Sequence, residues 1–293
     1  MKIYDSVLIT GGGGMLGHAL ADVLAERGCK PVALGRGQLD VTDHLALSRT
    51  FSEYKPTLVL NCAAHTKVDL CEQEEKQANA INGAAAGDLA VLCRASGAVL
   101  LHVSTDFVFD GSSRRPYLAT DRVNPLSVYG KSKLLGEQLI QKSPPDRWLI
   151  VRTAWVYGRH GANFPRTMVQ AARAGKPLTV VNDQIGAPTY TVDLAGAILD
   201  LLDSGASGIW HVTNSGQTNW YDFAAATLEE FGVRAEISPI SSVEWAQKRP
   251  TSAVRPGYSV LDLAALERQI GRRMRRWREA VTDFRAAVER DGF

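Results

Sequence analysis

Residues 9–20 read ITGGGGMLGHAL, and the reading of this stretch decides the fold. An apolar run, VLIT at residues 7–10, ends in four consecutive glycines, and a helical pattern follows over residues 16–27. Gly11, Gly14 and Gly17 stand at GxxGxxG spacing, with Met15 and Leu16 between the last two. In a strand–turn–helix unit each glycine has its own task. The first lets the chain turn sharply, the second lets backbone approach a pyrophosphate, and the third lets the helix lie close on the strand. The helix N-terminus then offers unpaired amides and the positive end of its dipole to the phosphates. The stretch is read as a dinucleotide seat, against the alternative of a glycine-rich turn that holds nothing.

Outward from this turn, short apolar runs alternate with helical patterns. Further strands are expected at residues 31–34, 57–62 (TLVLNC), 99–104 (VLLHVS) and 149–152 (LIVR). Apolar runs bounded by turns and separated by helices are the pattern of parallel strands covered on both faces. Connections of this length suit right-handed crossovers. After residue 158 the rhythm changes. Helices with aromatic residues are expected near residues 164–173 and 220–231, and segments rich in Pro, Gly and Ser fall around 185–189 and 238–256. The chain is therefore α/β. Residues 1–158 form a dinucleotide-binding domain with a returning segment near 186–214, and residues 159–185 plus 215–293 form mainly a smaller substrate domain. No internal repeat and no low-complexity tract is present.

Bulk properties narrow the class. The formal net charge of +2 over 293 residues makes no demand for nucleic acid or an anionic membrane. Cys29, Cys62, Cys71 and Cys93 form no CxxC pair and have no histidine cluster beside them, so reduced thiols are expected and no metal is assigned. The opening MKIYDSVLIT is interrupted by Asp5 and runs into glycines, unlike a secretory leader. No apolar stretch approaches the roughly 20 residues of a membrane helix. A cytoplasmic enzyme is expected. The run RRMRRWRE, which holds Arg272, Arg273, Arg275, Arg276 and Arg278, reads as a solvated face of a C-terminal helix, with a phosphate-binding or partner surface as the alternative.

The end of the second strand bears on the choice of cofactor. A site for NAD usually places a carboxylate there for the ribose hydroxyls, whereas a 2′-phosphate is met by Arg. Here the strand runs VALGRG, with Arg36 and no adjacent acid, so NADPH is expected, with NADH possible. A plain surface charge is the other reading of Arg36. Asp40 and Asp43 follow in LDVTD and either contact adenine or cap the next helix.

VYGKSKLLGEQL, residues 128–139, places Tyr129 and Lys133 four apart on an expected helix, so both side chains share one face. A carbonyl that accepts hydride needs a proton. A tyrosine of pKa about 10 supplies it poorly unless a nearby ammonium stabilises the phenolate. The fourth strand ends in HVSTDFVFDG, which puts Ser104, Thr105 and Asp106 past a carboxyl end, where ligands of open α/β sheets bind. Thr105 is a candidate donor to the substrate oxygen, or a turn hydroxyl satisfying local backbone.

Taken together, NCAAHTKVD (61–69), HVSTDFVFDG (102–111), NPLSVYGKSKLLGE (124–137), VRTAWVYG (151–158), VNDQIGAPTY (181–190) and RPGYSVLD (255–262) resemble the extended short-chain dehydrogenase/reductase family, and within it the dTDP-4-dehydrorhamnose reductases. The resemblance covers nearly the whole chain. It implies a Rossmann-type doubly wound parallel sheet with a smaller discontinuous α/β substrate domain. It also implies NADPH-dependent reduction of the C4 ketone of dTDP-4-dehydro-6-deoxy-L-mannose to dTDP-L-rhamnose, with a dTDP-sugar as the partner molecule. By position it makes Thr105, Tyr129 and Lys133 catalytic, with Asp106 beside them. It places Ala63, Ala64, Thr153 and Ala154 along the cofactor, Thr66, Val68 and Trp155 around the sugar, and Arg255 at the substrate phosphates.

Some of these residues make sense without the family. The indole of Trp155 at a strand end can pack on a deoxysugar, or belong to a domain-interface core. Arg255 after a loop suits a diphosphate, or is a surface charge. Asn163, Gln184 and Tyr190 are expected on the second lobe's side of the cleft. His65 and His102 read as structural histidines, because the Tyr–Lys pair already fills the acid–base role. Some family members bind Mg²⁺ at a dimer interface through glutamates, one of them on the first helix. Ala19 stands at that place here, so the resemblance carries no metal, and a monomer or weak homodimer is expected. Two competing readings stay open. One is a reductase or epimerase of another nucleotide sugar. The other is a non-catalytic NADP-binding regulatory subunit like that of methionine adenosyltransferase.

Overall fold

The five expected strands, with one more, assemble into a six-stranded parallel sheet. In the computed structural model they are β1 (Val7–Thr10), β2 (Val32–Leu34), β3 (Leu58–Asn61), β4 (Val99–Thr105) and β5 (Trp148–Thr153). The short strands that follow are β6 (Val156–Tyr157), β7 (Leu178–Val181), β8 (Ile185–Gly186), β9 (Thr189–Tyr190), β10 (Gly208–His211), β11 (Thr218–Asn219) and β12 (Ile237–Ile240). The sheet order is β2-β1-β3-β4-β5-β10. The structure describes residues 4–290; residues 1–3 and 291–293, the outer ends of the two expected domains, lie outside the described residues.

Among the described residues, twelve α-helices accompany the strands. They are α1 (Met15–Glu26), α2 (His44–Tyr54), α3 (Val68–Cys71), α4 (Glu75–Ala78), α5 (Ala85–Ser96), α6 (Val128–Lys142), α7 (Phe164–Arg173), α8 (Thr191–Asp203), α9 (Trp220–Glu230), α10 (Ser242–Lys248), α11 (Ala264–Ile270) and α12 (Trp277–Arg290). Strand residues alternate between two buried layers, as the two-residue period of a strand requires. Val7, Ile9, Leu58, Leu60, Leu101, Leu149 and Val151 pack with α1 and α8 on one face. Leu8, Val59, Leu100 and Ile150 pack with α2, α5 and Ile140 of α6 on the other. The doubly wound arrangement expected from the sequence is present. The chain leaves β1 towards the β2 edge and returns to β3 on the other side, so a crevice opens where the β1 and β3 carboxyl ends diverge.

The sequence reading passed over one strand of this sheet. β10 pairs in parallel with β5, from Gly208↔Leu149 to His211↔Arg152, and closes the far edge. It lies in the returning segment, and α8 ahead of it packs on α1. A third apolar cluster joins Tyr157, Val169, Tyr190, Phe223, Phe231 and Phe284 and holds α7, α9 and α12 together.

The arginine run departs from expectation. Residues 271–276 precede α12 rather than forming its face. Arg272 pairs with Asp200 of α8, Arg275 with Asp193 and Asp283, and Arg278 with Glu229 of α9. The run stitches the C-terminal segment to α8 and α9, because acids on those helices offer paired partners to cations that would otherwise repel one another. The Pro- and Ser-rich stretches also contain regular structure. β8, β9, β12 and α10 lie in them, with Ser241 and Glu244 forming a reciprocal cap at the start of α10. No described helix is long and apolar enough to cross a membrane.

Candidate active site

Two cavities of about 560 Å³ each open at the β1/β3 divergence and share Gly14, Cys62, Ala64 and Thr66 in their walls, so they are the two arms of one cleft. The glycine turn forms its floor. Gly11 has φ +67°, and a Cβ there would sit 2.6 Å from the Ala63 amide nitrogen. A Cβ on Gly17 would sit 2.5 Å from the Gly11 carbonyl oxygen. Backbone thus meets backbone at distances only glycine permits. The α1 N-terminus opens into the cleft with Gly14 as its N-cap, no side chain capping it and no acid in its first turn. Met15, Leu16 and Gly17 line the same wall. The free amides and unneutralised dipole end fit a pyrophosphate.

One arm is walled by Gly11, Arg36, Asp40, Ala63 and Ala64, together with Leu39, Val41, His65, Lys67 and Ile81, which the sequence reading did not single out for it. Arg36 is exposed at the rim. The Asp40 carboxylate accepts from the Thr42 amide at 2.9 Å and from its hydroxyl at 2.7 Å. Those bonds, with help from Arg36, hold its pKa below the ordinary value. Asp43 caps α2 through the amides of Leu45 and Ala46. Of these two acids, only Asp43 caps the helix; Asp40 holds the turn at Thr42 and stays in the wall of the cleft.

The other arm gathers Thr66, Val68, Thr105, Asp106, Tyr129, Lys133, Thr153, Ala154, Trp155, Asn163 and Arg255, along with Cys62, Phe107 and Trp220. Ser127 starts α6 by accepting from the Gly130 amide at 3.1 Å, which sets the register that aims Tyr129 and Lys133 inward. The Tyr129 ring stands edge-on to Phe107, with centroids 5.5 Å apart. Thr105 donates to Asp106 at 3.0 Å and accepts from the Phe107 amide at 3.2 Å, so the turn role and a place in the cleft coexist in one hydroxyl.

The electrostatics correct one expectation. An ammonium beside Tyr129 was expected to lower its pKa. Burial instead raises it, with the Thr105 hydroxyl pulling the other way. Tyr129 is a neutral phenol here, the form that can give a proton. Burial also lowers Lys133 to about 8, against Glu137 and Cys62, which favour its charged form. Asp106 is 1% exposed. Burial raises it to about 6, and its Oδ2 has no hydrogen-bond partner.

Beneath these groups lies a buried ion pair. Glu137, one turn after Lys133, accepts from Arg152 Nε at 2.9 Å and Nη2 at 2.7 Å, and from the Ser104 hydroxyl at 2.5 Å. It ties α6 to the residues that precede Thr105 and Thr153 on β4 and β5.

The third cluster contributes aromatic walls. Trp155 has φ +47°, uncommon for a residue with a side chain. Its indole stacks on Trp220 at 3.7 Å with a 10° interplanar angle, and Phe164 meets Trp220 edge-on. Trp155 packs against the third cluster, as the core reading expects, and also lines the cleft. Trp220 was legible only as a helix residue, because nothing local in the sequence links it to Trp155. Arg255 is paired with Asp69 at 2.8 Å and donates to the Ala253 carbonyl at 3.0 Å.

Of three polar residues expected at the cleft, one lines it and two lie elsewhere. Asn163 lines the cleft, but its amide caps α7 and donates to the Gly158 carbonyl at 2.7 Å. Gln184 donates to Ser242 at 2.9 Å, and Tyr190 is buried in the third cluster; neither is among the residues lining the cleft. Apolar packing claimed the Tyr190 ring, and the Ser242 hydroxyl claimed the Gln184 amide. His65 is satisfied by Glu74 at 2.8 Å and Cys71 at 3.4 Å, as a structural histidine would be.

Residues 5–290 match the family model described as the RmlD substrate binding domain. A dTDP-4-dehydrorhamnose reductase from Streptomyces griseus is 43% identical over 97% of this chain and 95% of its own length. A dTDP-4-keto-6-deoxy-D-glucose reductase from Streptomyces niveus is 41% identical over 95% of this chain and 96% of its own. A crystal structure of a dTDP-4-dehydrorhamnose reductase from Bacillus anthracis in complex with NADP superimposes with a TM-score of 0.91 at 33% identity, covering 96% of this chain and 99% of that one.

Proposed function

The chain belongs to the RmlD substrate-binding-domain family, and from that premise we propose that it is an NADPH-dependent reductase that converts dTDP-4-dehydro-6-deoxy-L-mannose to dTDP-L-rhamnose. The observation that carries this reading is the meeting of Tyr129, Lys133 and Thr105 in a buried arm continuous with the uncapped α1 N-terminus. The bound cofactor supplies a hydride to C4. The amides of Met15 and Leu16, at the open end of α1, would hold its pyrophosphate with Gly14 close beneath it, Arg36 would meet the 2′-phosphate, and Ala63, Ala64, Thr153 and Ala154 would flank the rest.

The Thr105 hydroxyl, turned from Asp106, donates a hydrogen bond to the C4 oxygen and polarises the ketone. Tyr129 gives its phenolic proton to that oxygen as the C–H bond forms. Lys133, as an ammonium, stabilises the phenolate left behind until solvent returns the proton. The raised pKa of Tyr129 suits this direction of the reaction, since the donor must hold its proton beforehand. Thr66, Val68, Trp155 and Trp220 form the sugar wall, and Arg255 exchanges Asp69 for the substrate diphosphate. On this reading residues 1–158 with 186–214 bind the dinucleotide, and 159–185 with 215–293 mainly bind the sugar nucleotide. Ala19 is buried against α8 and presents no carboxylate, which supports a monomer or weak homodimer over a metal-bridged one.

The test is loss of nicotinamide absorbance with the 4-keto-L-sugar made in situ, and identification of the product. Oxidation of NADPH yielding dTDP-rhamnose is expected. NADPH binding without turnover would overturn the reading in favour of a regulatory subunit. The Streptomyces niveus relative favours a second reading, reduction of the unepimerised 4-keto-D-sugar, and turnover of that sugar alone would select it.

A further inference from the structure

His102 is 0% exposed and belongs to neither half of the acid–base pair, yet it touches Lys133. Thr10, Asn61 and His102 occupy one register row across three neighbouring strands, Thr10↔Asn61 on β1 and β3 and Asn61↔His102 on β3 and β4. Their side chains point to the α6 face and form a chain of hydrogen bonds. The Thr10 hydroxyl meets Asn61 Oδ1 at 2.7 Å, Asn61 Nδ2 meets His102 Nδ1 at 2.9 Å, and His102 Nε2 meets Lys133 Nζ at 3.1 Å.

The proton positions follow from one fixed donor. The Ala63 backbone N–H points at Asn61 Oδ1 at 3.2 Å, so that atom is the amide oxygen and the other is the NH₂. The NH₂ faces His102 Nδ1, which must accept. A neutral imidazole then carries its hydrogen on Nε2, aimed at Lys133. An ammonium there sets donor against donor, whereas a neutral amine accepts. The other tautomer only moves the clash to Asn61.

We propose that the Thr10–Asn61–His102 ladder fixes the Nε2–H tautomer and thereby disfavours the ammonium form of Lys133, which makes Asn61 and His102 positioning residues that set the alkaline limit of the reduction. The inference rests on the reading of Lys133 as the cation that supports the Tyr129 phenolate. The other titratable groups facing Lys133 are Cys62 after β3, and Glu137 and Tyr129 on α6 itself. Burial pushes the Cys62 thiol up to about 12, so it is neutral, and Glu137, which favours the ammonium, is engaged by Arg152. Burial keeps His102 neutral, with Lys133 adding to the effect, so the ladder has no charge of its own to offset.

The test reads the two groups directly. Protein labelled with ¹⁵N-histidine and ¹⁵N-lysine is titrated by NMR, with Lys133 assigned from a Lys133→Met variant. Wild type is expected to show Nε2–H on His102 and a Lys133 titration near 8. Asn61→Asp turns the donor facing Nδ1 into an acceptor and forces the Nδ1–H tautomer. Nε2 then accepts from an ammonium, and the Lys133 titration should rise by about one pH unit or more, carrying the alkaline limb of kcat with it. His102→Gln, with its amide oxygen towards Lys133, should move it in the same direction and serves if Asn61→Asp does not fold. An Nδ1–H wild type, or a Lys133 titration that stays put or falls in the variants, would overturn the ladder. The spectra need no sugar substrate, so a chain that turns over none of the tested sugars would refute the proposed function and leave the ladder's protonation test intact.

Discussion

Replacing Glu137 by alanine should damage this protein more than any surface change. Glu137 is 0% and Arg152 3% exposed in their side chains, and they meet at 2.7 Å. The carboxylate also accepts from Arg152 Nε and Ser104, so three charge-assisted bonds are lost together. The lost bonds matter less than the guanidinium left behind. Arg152 would keep only the Ala119 carbonyl at 3.3 Å and the face of Phe109, 5.2 Å from the ring centroid. Stranding one member of a buried pair costs about 3–5 kcal/mol. At roughly 2–4 °C per kcal/mol for chains somewhat shorter than this one, Tm should fall by on the order of 10 °C. Differential scanning calorimetry of Glu137→Ala, Arg152→Met and the pair Glu137→Leu with Arg152→Met measures this. The double variant should recover most of the loss, because no buried charge is left without a partner. A drop below about 1 kcal/mol in Glu137→Ala, or strictly additive losses in the double variant, would refute the reasoning.

Four further outcomes are expected. Tyr129→Phe should lower kcat by about 10²–10⁴ while leaving the Kd for NADPH nearly unchanged, as measured by turnover and fluorescence titration; near-normal turnover would remove Tyr129 as the proton donor. Arg36→Ala should raise the Kd for NADPH well above any effect on NADH, and equal weakening of both would show that Arg36 does not read the 2′-phosphate. Asp106 is protonated more readily folded, at about 6, than unfolded, near 3.9, so its penalty is absent below pH ~4, grows as pH rises and is complete above pH ~6, on the order of 2–3 kcal/mol. Asp106→Asn should therefore gain Tm relative to wild type at pH 8 but not at pH 4, and a gain independent of pH would contradict the buried carboxylate. Finally, a Cβ at Gly186 would lie 2.5 Å from Trp155 Cε2, so Gly186→Ala should displace the indole from Trp220, cost about 1–3 kcal/mol and raise KM for the sugar nucleotide while the Kd for NADPH stays constant.

Much of this protein is written in local sequence. The glycine turn names its own conformation, because the positive φ of Gly11 and the contact beneath Gly17 exclude other residues, and the i, i+4 spacing puts Tyr129 and Lys133 on one helix face whatever surrounds them. The alternating apolar runs fix five strands of the sheet, because a strand covered on both faces must be apolar on both. What the sequence left undecided depends on which residues become neighbours across elements. β10 is four residues long and ends in a buried histidine, so only its pairing with β5 makes it a strand of the main sheet. Trp220 meets Trp155 because α9 packs beside β6, and no spacing within either segment encodes that contact. Arg272, Arg275 and Arg278 became ion-pair partners because α8, α9 and α12 present acids to them. Burial, and not the nearby lysine, decided the protonation of Tyr129. The row from Thr10 to His102 lies within three runs legible as strands, but strand register made it a hydrogen-bonded chain. Local periodicity is set by the geometry of one backbone, whereas partners and charge states are set by the environment that several backbones build together.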